Sequence, residues 1–348
     1  MIAAVIYFAI GLVLLIKGGD WFVDGATGIA KRFHVPDLLI GATVVSIGTT
    51  LPEVMVSATS AVQGASAIAY GNAIGSVICN TALIAALTVA IRPTDVPKKT
   101  LITPVIFFFS AAAFYAGIAY ITGYFNRITG AILLGIFVAY MILLIRQAIA
   151  QMKEQKEEVQ TFRNEATGAE IQAMPGAMIP EHAKAKEEEP GTKALLKEIF
   201  LIVIGAALIA IGANLLVNNG TIIAEGLGVP QSVIAVTFVA LGTSLPELVT
   251  AIVSLAKGHG ALSLGNVIGA NLFNLVLVSG MAMTLKPFRI PVEKTVAGMN
   301  ASLAVDIPVM LAVMIILTIP TLIRGKLSRI QGFLLLLIYA AYCVFQFA

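Results

Sequence analysis

Apolar runs long enough to cross a bilayer follow one another from end to end of this chain, and no other feature restricts its fold as much. Hydrocarbon offers backbone N–H and C=O groups no partner, so only helices and closed barrels cross it. A spanning helix needs ~20 apolar residues and a spanning strand about half that. The runs fall at 3–23, 36–62, 67–91, 100–122, 128–149, 198–219, 230–256, 261–285, 296–320 and 329–347, lengths that select helices. The expected fold is an all-α polytopic membrane protein with ten transmembrane helices in two inverted five-helix repeats, with discontinuous Pro-broken helices at the ion site. Composition agrees, because the 12% of charged residues is about half of what a soluble domain carries. The first run lacks a preceding basic segment and a small-residue cleavage site, so it reads as a span rather than a signal peptide. Cys79 and Cys343 both lie in apolar runs, which argues against a disulfide framework or a zinc site. The expected surroundings are a lipid bilayer, with no nucleic acid as partner; oligomeric state is not legible.

Between the fifth and sixth runs the character changes. Residues 151–197 are polar, mixed in charge and punctuated by Pro and Gly, and read as a largely solvated linker. The flanking halves, 1–150 and 198–348, are copies of one another. At an offset of 194, Val35-Pro36 matches Val229-Pro230, Gly48-Thr49 matches Gly242-Thr243, and Leu51-Pro52-Glu53 matches Leu245-Pro246-Glu247. Gly71-Asn72 matches Gly265-Asn266, and Asn80 matches Asn274. Farther on, Arg127-Ile-Thr-Gly matches Arg329-Ile-Gln-Gly after a short insertion. Five spans is an odd number, so the second copy enters the membrane from the opposite side, as in the inverted repeats of secondary transporters.

Basic residues orient the chain, because Lys and Arg concentrate in cytoplasmic loops. With the N-terminus outside, 17 Lys and Arg fall on the inner side and four (Arg127, Lys286, Arg289 and Lys294) on the outer side. The expectation is a plasma-membrane protein with both termini extracellular and the linker cytoplasmic.

The second and seventh spans carry the chemistry. Pro52 has no N–H and its ring crowds the carbonyl four residues back, so Gly48 and its neighbours lose regular helical bonding. Freed carbonyls in a membrane need a partner, and a dehydrated cation is a good one. Thr49 and Glu53 are four apart and Thr50 and Glu53 three apart, which puts them on one face. The seventh span repeats the pattern with Thr243, Ser244, Pro246 and Glu247. An intramembrane carboxylate is expensive and marks function by default. These are hard oxygen ligands, suited to Na⁺ or Ca²⁺. One such motif alone could be a simple kink; that reading explains neither the glutamates nor the duplication. In the third span Asn72, Ser76 and Asn80 form one stripe, and Asn266, Ala270 and Asn274 repeat it in the eighth. Asn72 and Asn266 could serve equally as interhelical glue; Asn80 and Asn274, placed deeper, point to ion or carboxylate contact. Two ionised glutamates balance one Ca²⁺, and several Na⁺ could use the same oxygens.

The paired signatures Gly-Thr-Thr-Leu-Pro-Glu with Gly-Asn-x-x-Gly-Ser, and Gly-Thr-Ser-Leu-Pro-Glu with Gly-Asn-x-x-Gly-x-Asn, closely resemble the α-repeats of the sodium/calcium exchanger family, within the calcium/cation antiporter superfamily. The resemblance covers both halves. It implies a transporter rather than an enzyme, exchanging about three Na⁺ for one Ca²⁺ by alternating access, with no cofactor beyond the transported ions. By resemblance, Glu53 and Glu247 are central calcium ligands, joined by Thr49 and Thr243 through backbone carbonyls. Sodium sites would use Thr50, Ser76, Ser244, both glutamates, and the carbonyls of Ser46 and Ala240, with Asn80 and Asn274 as accessory groups. Three positions depart from the commonest prokaryotic pattern. Thr50 stands where serine is frequent, Ala270 removes one hydroxyl, and Asn274 stands where several relatives carry Asp, which weakens a case for potassium co-transport. The rivals are a proton/calcium antiporter of the same superfamily and a cation channel.

Elsewhere, Lys17 and Asp20 are three apart and expected to pair, Asp306 reads as a capping or packing carboxylate, and His34, His182 and His259 look solvated.

Overall fold

The computed structural model describes residues 2–33, 35–168, 192–227, 242–292 and 295–347. The described chain is nearly all helix: α1 (Ile2–Phe33), α2 (Asp37–Gln63), α3 (Ser66–Ile91), α4 (Lys98–Thr122), α5 (Arg127–Gly168), α6 (Thr192–Gly226), α7 (Leu245–Ala256), α8 (Gly260–Leu285), α9 (Ser302–Arg324) and α10 (Arg329–Phe347). Among the described residues nine of these are long and apolar enough to cross a membrane. The short one is α7; residues 230–241 of that expected span lie outside the described residues, as do His34, His182 and Lys294. Large apolar side chains such as Ile6, Val13, Ile132, Phe200 and Leu337 are exposed, as a lipid-facing surface requires.

Several boundaries differ from the sequence reading for local reasons. Helix α5 runs on to Gly168, so the first part of the expected linker is helical; Lys153-Glu-Gln-Lys-Glu-Glu158 is made of good helix formers. Span nine begins at Ser302 rather than 296, because Thr295–Val296 (β3) and Met299–Asn300 (β4) form a two-residue hairpin. Ala297 and Gly298 turn it with φ of 49° and 80°, the positive values such a turn demands. A second small ribbon pairs β1 (Tyr124–Phe125) with β2 (Phe288–Arg289) at the same end of the bundle as the α2–α3 turn, where Gly64 approaches Lys286. At the opposite end the α3–α4 and α9–α10 connections bond to each other, Val96 N–H to the Gly325 carbonyl at 2.8 Å and Leu327 N–H to that of Thr94 at 3.0 Å.

Glycine sets the close helix contacts. A Cβ on Gly11, Gly18 or Gly25 of α1 would lie 2.6–2.9 Å from backbone atoms of α6, and one on Gly205 or Gly212 of α6 would meet α1 as closely. The pair therefore packs as one unit. Other contacts recur between the halves. A Cβ on Gly130 of α5 would meet the Gly280 carbonyl and Thr284 nitrogen of α8 at 2.7 and 2.8 Å; one on Gly332 of α10 would meet the Ala86 carbonyl and Ala90 nitrogen of α3 at 2.7 Å each. These positions are equivalent in the two sequence copies. So are the turns ending α2 and α7, where Gly64 and Gly258 both adopt φ of 85° and the next N–H bonds back at 2.8 Å, to Ser60 and Ser254.

Pro320 leaves the carbonyl of Ile316 without its helical donor. Gln331 of α10 supplies one: its Nε2 donates to that carbonyl at 2.9 Å.

Candidate ion-binding site

The site residues sit where α2, α3, α7 and α8 cross. Helix α2 runs through Pro52 without a break, with a π turn at Gly41–Val45. The discontinuity expected at Pro52 is therefore absent, and the irregular turn of α2 lies upstream of it. In the second copy Gly242–Ser244 form a turn, α7 begins at Leu245, and Pro246 occupies its first turn, where a missing N–H is harmless. Helices α3 and α8 each carry a π turn, Asn80–Ala85 and Asn274–Val278, beginning at the two repeat-matched asparagines. Such turns are frequent at functional sites because they turn backbone and side chains off the regular helical pattern.

Glu53 and Glu247 are both fully buried, and the two carboxylates are close enough to repel each other. Neither carboxylate has a hydrogen-bond partner for either of its oxygens. The hydroxyls of Thr49 and Thr50 stand beside the Glu247 carboxylate without reaching bonding geometry. Thr50 Oγ1, Ser244 Oγ and both side-chain amide atoms of Asn80 and of Asn274 are likewise buried without a protein partner. Buried polar groups are almost always bonded, and an uncompensated buried charge costs several kcal/mol. These orphaned atoms belong to the four crossing helices that carry the two carboxylates, and the donor set is oxygen-rich and hard. That is the chemistry of a Na⁺ or Ca²⁺ site. Among the described residues no group of three His, Cys, Asp or Glu occurs, so neutral oxygens must complete any cation's shell.

Other expected residues hold the framework. Ser46 Oγ donates to the Gly41 carbonyl at 2.7 Å, bridging the π turn, and also lies 3.0 Å from the Asn266 carbonyl. Thr49 Oγ1 donates to Asn266 Oδ1 at 3.2 Å. Ser76 is buried one turn before Asn80, and Thr243 is half-buried in the turn before α7. Ala240 lies outside the described residues.

Asn266 is the main connection that sequence reasoning left open between glue and ligand. It accepts from Thr49, and its Nδ2 donates to Thr250 Oγ1 at 2.9 Å, which in turn bonds the Pro246 carbonyl at 2.9 Å. Asn72 does the matching work on α2, donating to the Glu53 carbonyl at 3.1 Å and to Ser57 Oγ at 2.8 Å. Ser57 and Thr250 went unflagged. The available signal was a hydroxyl one turn beyond each glutamate.

Between Thr49, Pro52 and Pro246 on one side and Phe22, Ala206, Ile209 and Ala210 on the other lies a cavity of about 10 Å³, the size of one water. Phe22 lines it from α1.

The profile of the sodium/calcium exchanger protein family matches residues 3–146 and 197–348. The chain belongs to that family. It is 34% identical over 355 residues to the sodium/calcium exchanger MaX1 of Methanosarcina acetivorans, covering 97% of each chain. It is 31% identical over 354 residues to the putative antiporter CaxA of Alkalimonas amylolytica, covering 98% of each. The sodium-calcium exchanger NCX_Mj, in a structure soaked with 10 mM Na⁺, superposes with a TM-score of 0.76 at 29% identity, over 99% of this chain and 98% of that one. A second NCX_Mj structure, soaked with 2.5 mM Na⁺ and 0.1 mM Ca²⁺, gives 0.75 at 30% identity. This family member is a multi-pass membrane antiporter, not an enzyme.

Two peripheral expectations are corrected. Asp20 and Asp24 face Lys257, at 3.4 and 2.8 Å from its ammonium, rather than Lys17. His259 is not merely solvated but bonds Asp37 at 2.8 Å, tying the start of α8 to the start of α2. Arg32 forms a two-pronged pair with Glu198 at 2.8 and 2.9 Å, which joins α1 to α6.

Proposed function

We propose that this protein is an electrogenic Na⁺/Ca²⁺ antiporter of the plasma membrane in which both ions compete for one cluster. Glu53 and Glu247, with Thr49 and Thr243, take Ca²⁺. The same glutamates with Ser46, Thr50, Ser76, Ala240 and Ser244 take Na⁺, and Asn80 and Asn274 complete or hydrate the shell. The observation that carries this reading is a pair of fully buried, unpartnered carboxylates on helices that also carry the unpartnered polar atoms of Thr50, Ser244, Asn80 and Asn274. Two negative charges are neutralised by one Ca²⁺, so occupancy by three Na⁺ leaves a net charge that moves with the cycle. Competition for shared ligands couples the ions, because neither carboxylate can stay buried and uncompensated.

The α1/α6 unit is the natural moving part. It packs tightly within itself, and Phe22 on its inner face lines the cavity beside Thr49. A shift of this unit against the remaining helices would open the cluster to one side at a time. The reciprocal contacts of Gly130 and Gly332 support two inverted halves. Basic residues place both termini outside and the linker in the cytoplasm.

The test is calcium uptake by proteoliposomes loaded with Na⁺ and diluted into Na⁺-free medium, with a Glu53→Gln/Glu247→Gln double variant as control. Uptake that needs the outward Na⁺ gradient, survives collapse of any pH gradient and is absent from the double variant is the expected result. Uptake driven by a pH gradient alone would establish the proton antiporter instead, and gradient-independent conductance a channel.

A further inference from the structure

The α1/α6 unit meets the rest of the bundle differently at its two ends. On the side that the basic residues place inside, Lys257 follows the last turn of α7 and reaches across to α1. Its ammonium donates to the backbone carbonyl of Asp20 at 3.0 Å and to Asp24 Oδ1 at 2.8 Å, and lies 3.4 Å from Asp20 Oδ1. Three oxygens of one element thus surround a single cation of another. Apolar packing closes the same side. A Cβ on Gly19 would lie 2.6 Å from Cγ1 of Val249 and 3.1 Å from Cγ2 of Val253, so α1 seats directly against α7.

The repeat supplies the matching positions on the outer side. At the offset of 194, Lys257 corresponds to Gln63, Asp20 to Asn214 and Asp24 to Asn218. Neutral amides replace all three charges, so these residues form no ion pair there. Gly19 corresponds to Ala213, where a Cβ stands, and Val249 to Met55. Met55 is 65% exposed, whereas Val249 is half-buried. The inner end is thus both seated and ion-paired, and its outer counterpart is neither.

We propose that Lys257, Asp20 and Asp24 form an inner ionic latch, which holds the α1/α6 unit against α7 and weights the protein toward the state closed to the cytoplasm. This rests on the antiporter reading above and its moving unit. A contact made in only one of two states shifts their balance by its own free energy. The apparent affinity on each face scales with the share of protein open to that face. The ratio of outer to inner half-saturating Ca²⁺ concentration therefore reports the latch.

The experiment measures that ratio by Na⁺-driven Ca²⁺ exchange in right-side-out and inside-out membrane vesicles at low ionic strength. Lys257→Gln, which installs the first half's residue, raises the ratio about fivefold, the scale of an exposed ion pair of good geometry. The inner constant falls, and the outer one stays or rises. Asp24→Asn moves the ratio in the same direction. That shared direction separates a latch from a local field. A field at the inner mouth becomes more negative with the first change and less negative with the second, so it would move the inner constant in opposite directions. Raising the ionic strength carries the wild type toward both variants. An unchanged ratio, or inner constants that move oppositely in the two variants, would overturn the latch. If Lys257→Gln does not accumulate, Asp24→Asn decides alone from an exposed position: a lower inner constant supports the latch and a higher one overturns it. Failure of the wild type to exchange Ca²⁺ for Na⁺ would instead remove the antiporter reading itself, so the two failures are distinguishable.

Discussion

The two glutamate motifs share their sequence and differ in backbone. In the first half Glu53 lies inside a continuous helix, one turn past Thr49, and its carbonyl is held by Asn72. In the second half Glu247 is in the first turn of α7, straight after the non-helical Gly242–Ser244. Carboxylate chemistry is thus duplicated while the backbone around it is not. A helix start presents N–H groups and the positive end of the macrodipole to the Glu247 side chain, worth about 0.3–1 kcal/mol to a negative charge, and Glu53 has no such support. The same Gly-Thr-x-Leu-Pro-Glu string lies inside a continuous helix in one half and at a helix start in the other. On the first side Gly41 presses against Leu262 and Asn266, and Gly265 against Leu38, which clamps α2 onto α8 upstream of the proline.

The largest effects should come from the carboxylates, and they test whether the halves are equal in chemistry. Glu53→Gln and Glu247→Gln should each lower Na⁺-driven Ca²⁺ flux by about 100-fold or more, the scale of removing one partner from a buried ionic contact of about 3–5 kcal/mol. Equal losses would show that the backbone difference leaves the ligand roles alike; a tenfold gap between them would break that equivalence. Stability moves the other way without cations. Each substitution removes one of two mutually repelling, unpartnered carboxylates, so the melting temperature of the cation-free protein should rise by a few degrees. Ca²⁺ should stabilise the wild type and neither variant, as thermal scans with and without the ion would show.

Packing comes next. Gly265→Ala should destabilise by about 1–3 kcal/mol, because its Cβ would strike the backbone at Leu38. Its repeat counterpart Gly71 is exposed and meets nothing within 4 Å, so Gly71→Ala should be within about 0.5 kcal/mol of neutral. Comparable losses at both would mean that the halves pack alike on this face. Asn266→Ala takes the acceptor from Thr49 and the donor from Thr250 at a buried position and should cost about 2–3 kcal/mol; Asn72→Ala, at a half-buried position, should cost about 1 kcal/mol. Denaturation in detergent measures both pairs.

What the sequence could show follows from the same physics. Length and polarity placed nine of the ten spans among the described residues, and helical spacing put Thr50 and Glu53 on one face of α2. The repeat offset paired Asn80 with Asn274, and the structure starts a π turn at each. The π turns themselves were invisible, because one extra residue in a helical turn needs no special residue type. The division of labour among asparagines was also hidden. Spacing assigns a residue to a face but not to the helix that crosses it, so Asn266 as hub and Asn80 as an unbonded group looked alike. The end of α5 was missed for a third reason: Lys and Glu suit a solvated helix and a solvated linker equally.

The smallest expected effect concerns a compensation inside the repeat. Where the first half reads Arg127-Ile-Thr-Gly, the second reads Arg329-Ile-Gln-Gly. Thr129 bonds only locally, its N–H and hydroxyl meeting Asn126 Oδ1 at 2.8 and 3.1 Å. Gln331 reaches across to α9, to the Ile316 carbonyl that Pro320 deprives of its donor. Counting back from the matched arginines, the position equivalent to Pro320 in the first half is Ile118, so no carbonyl there awaits a partner. Gln331→Thr, which installs the first half's residue, should therefore cost about 1 kcal/mol. The same change made together with Pro320→Ile should cost less than the two single changes summed, with a coupling of about 0.5–1 kcal/mol. An additive double mutant would mean that Gln331 stays for its contacts with Ser328, at 2.9 Å to the backbone N–H, and with Thr321 at 3.3 Å, and that the halves differ at this corner for no reason connected with the proline.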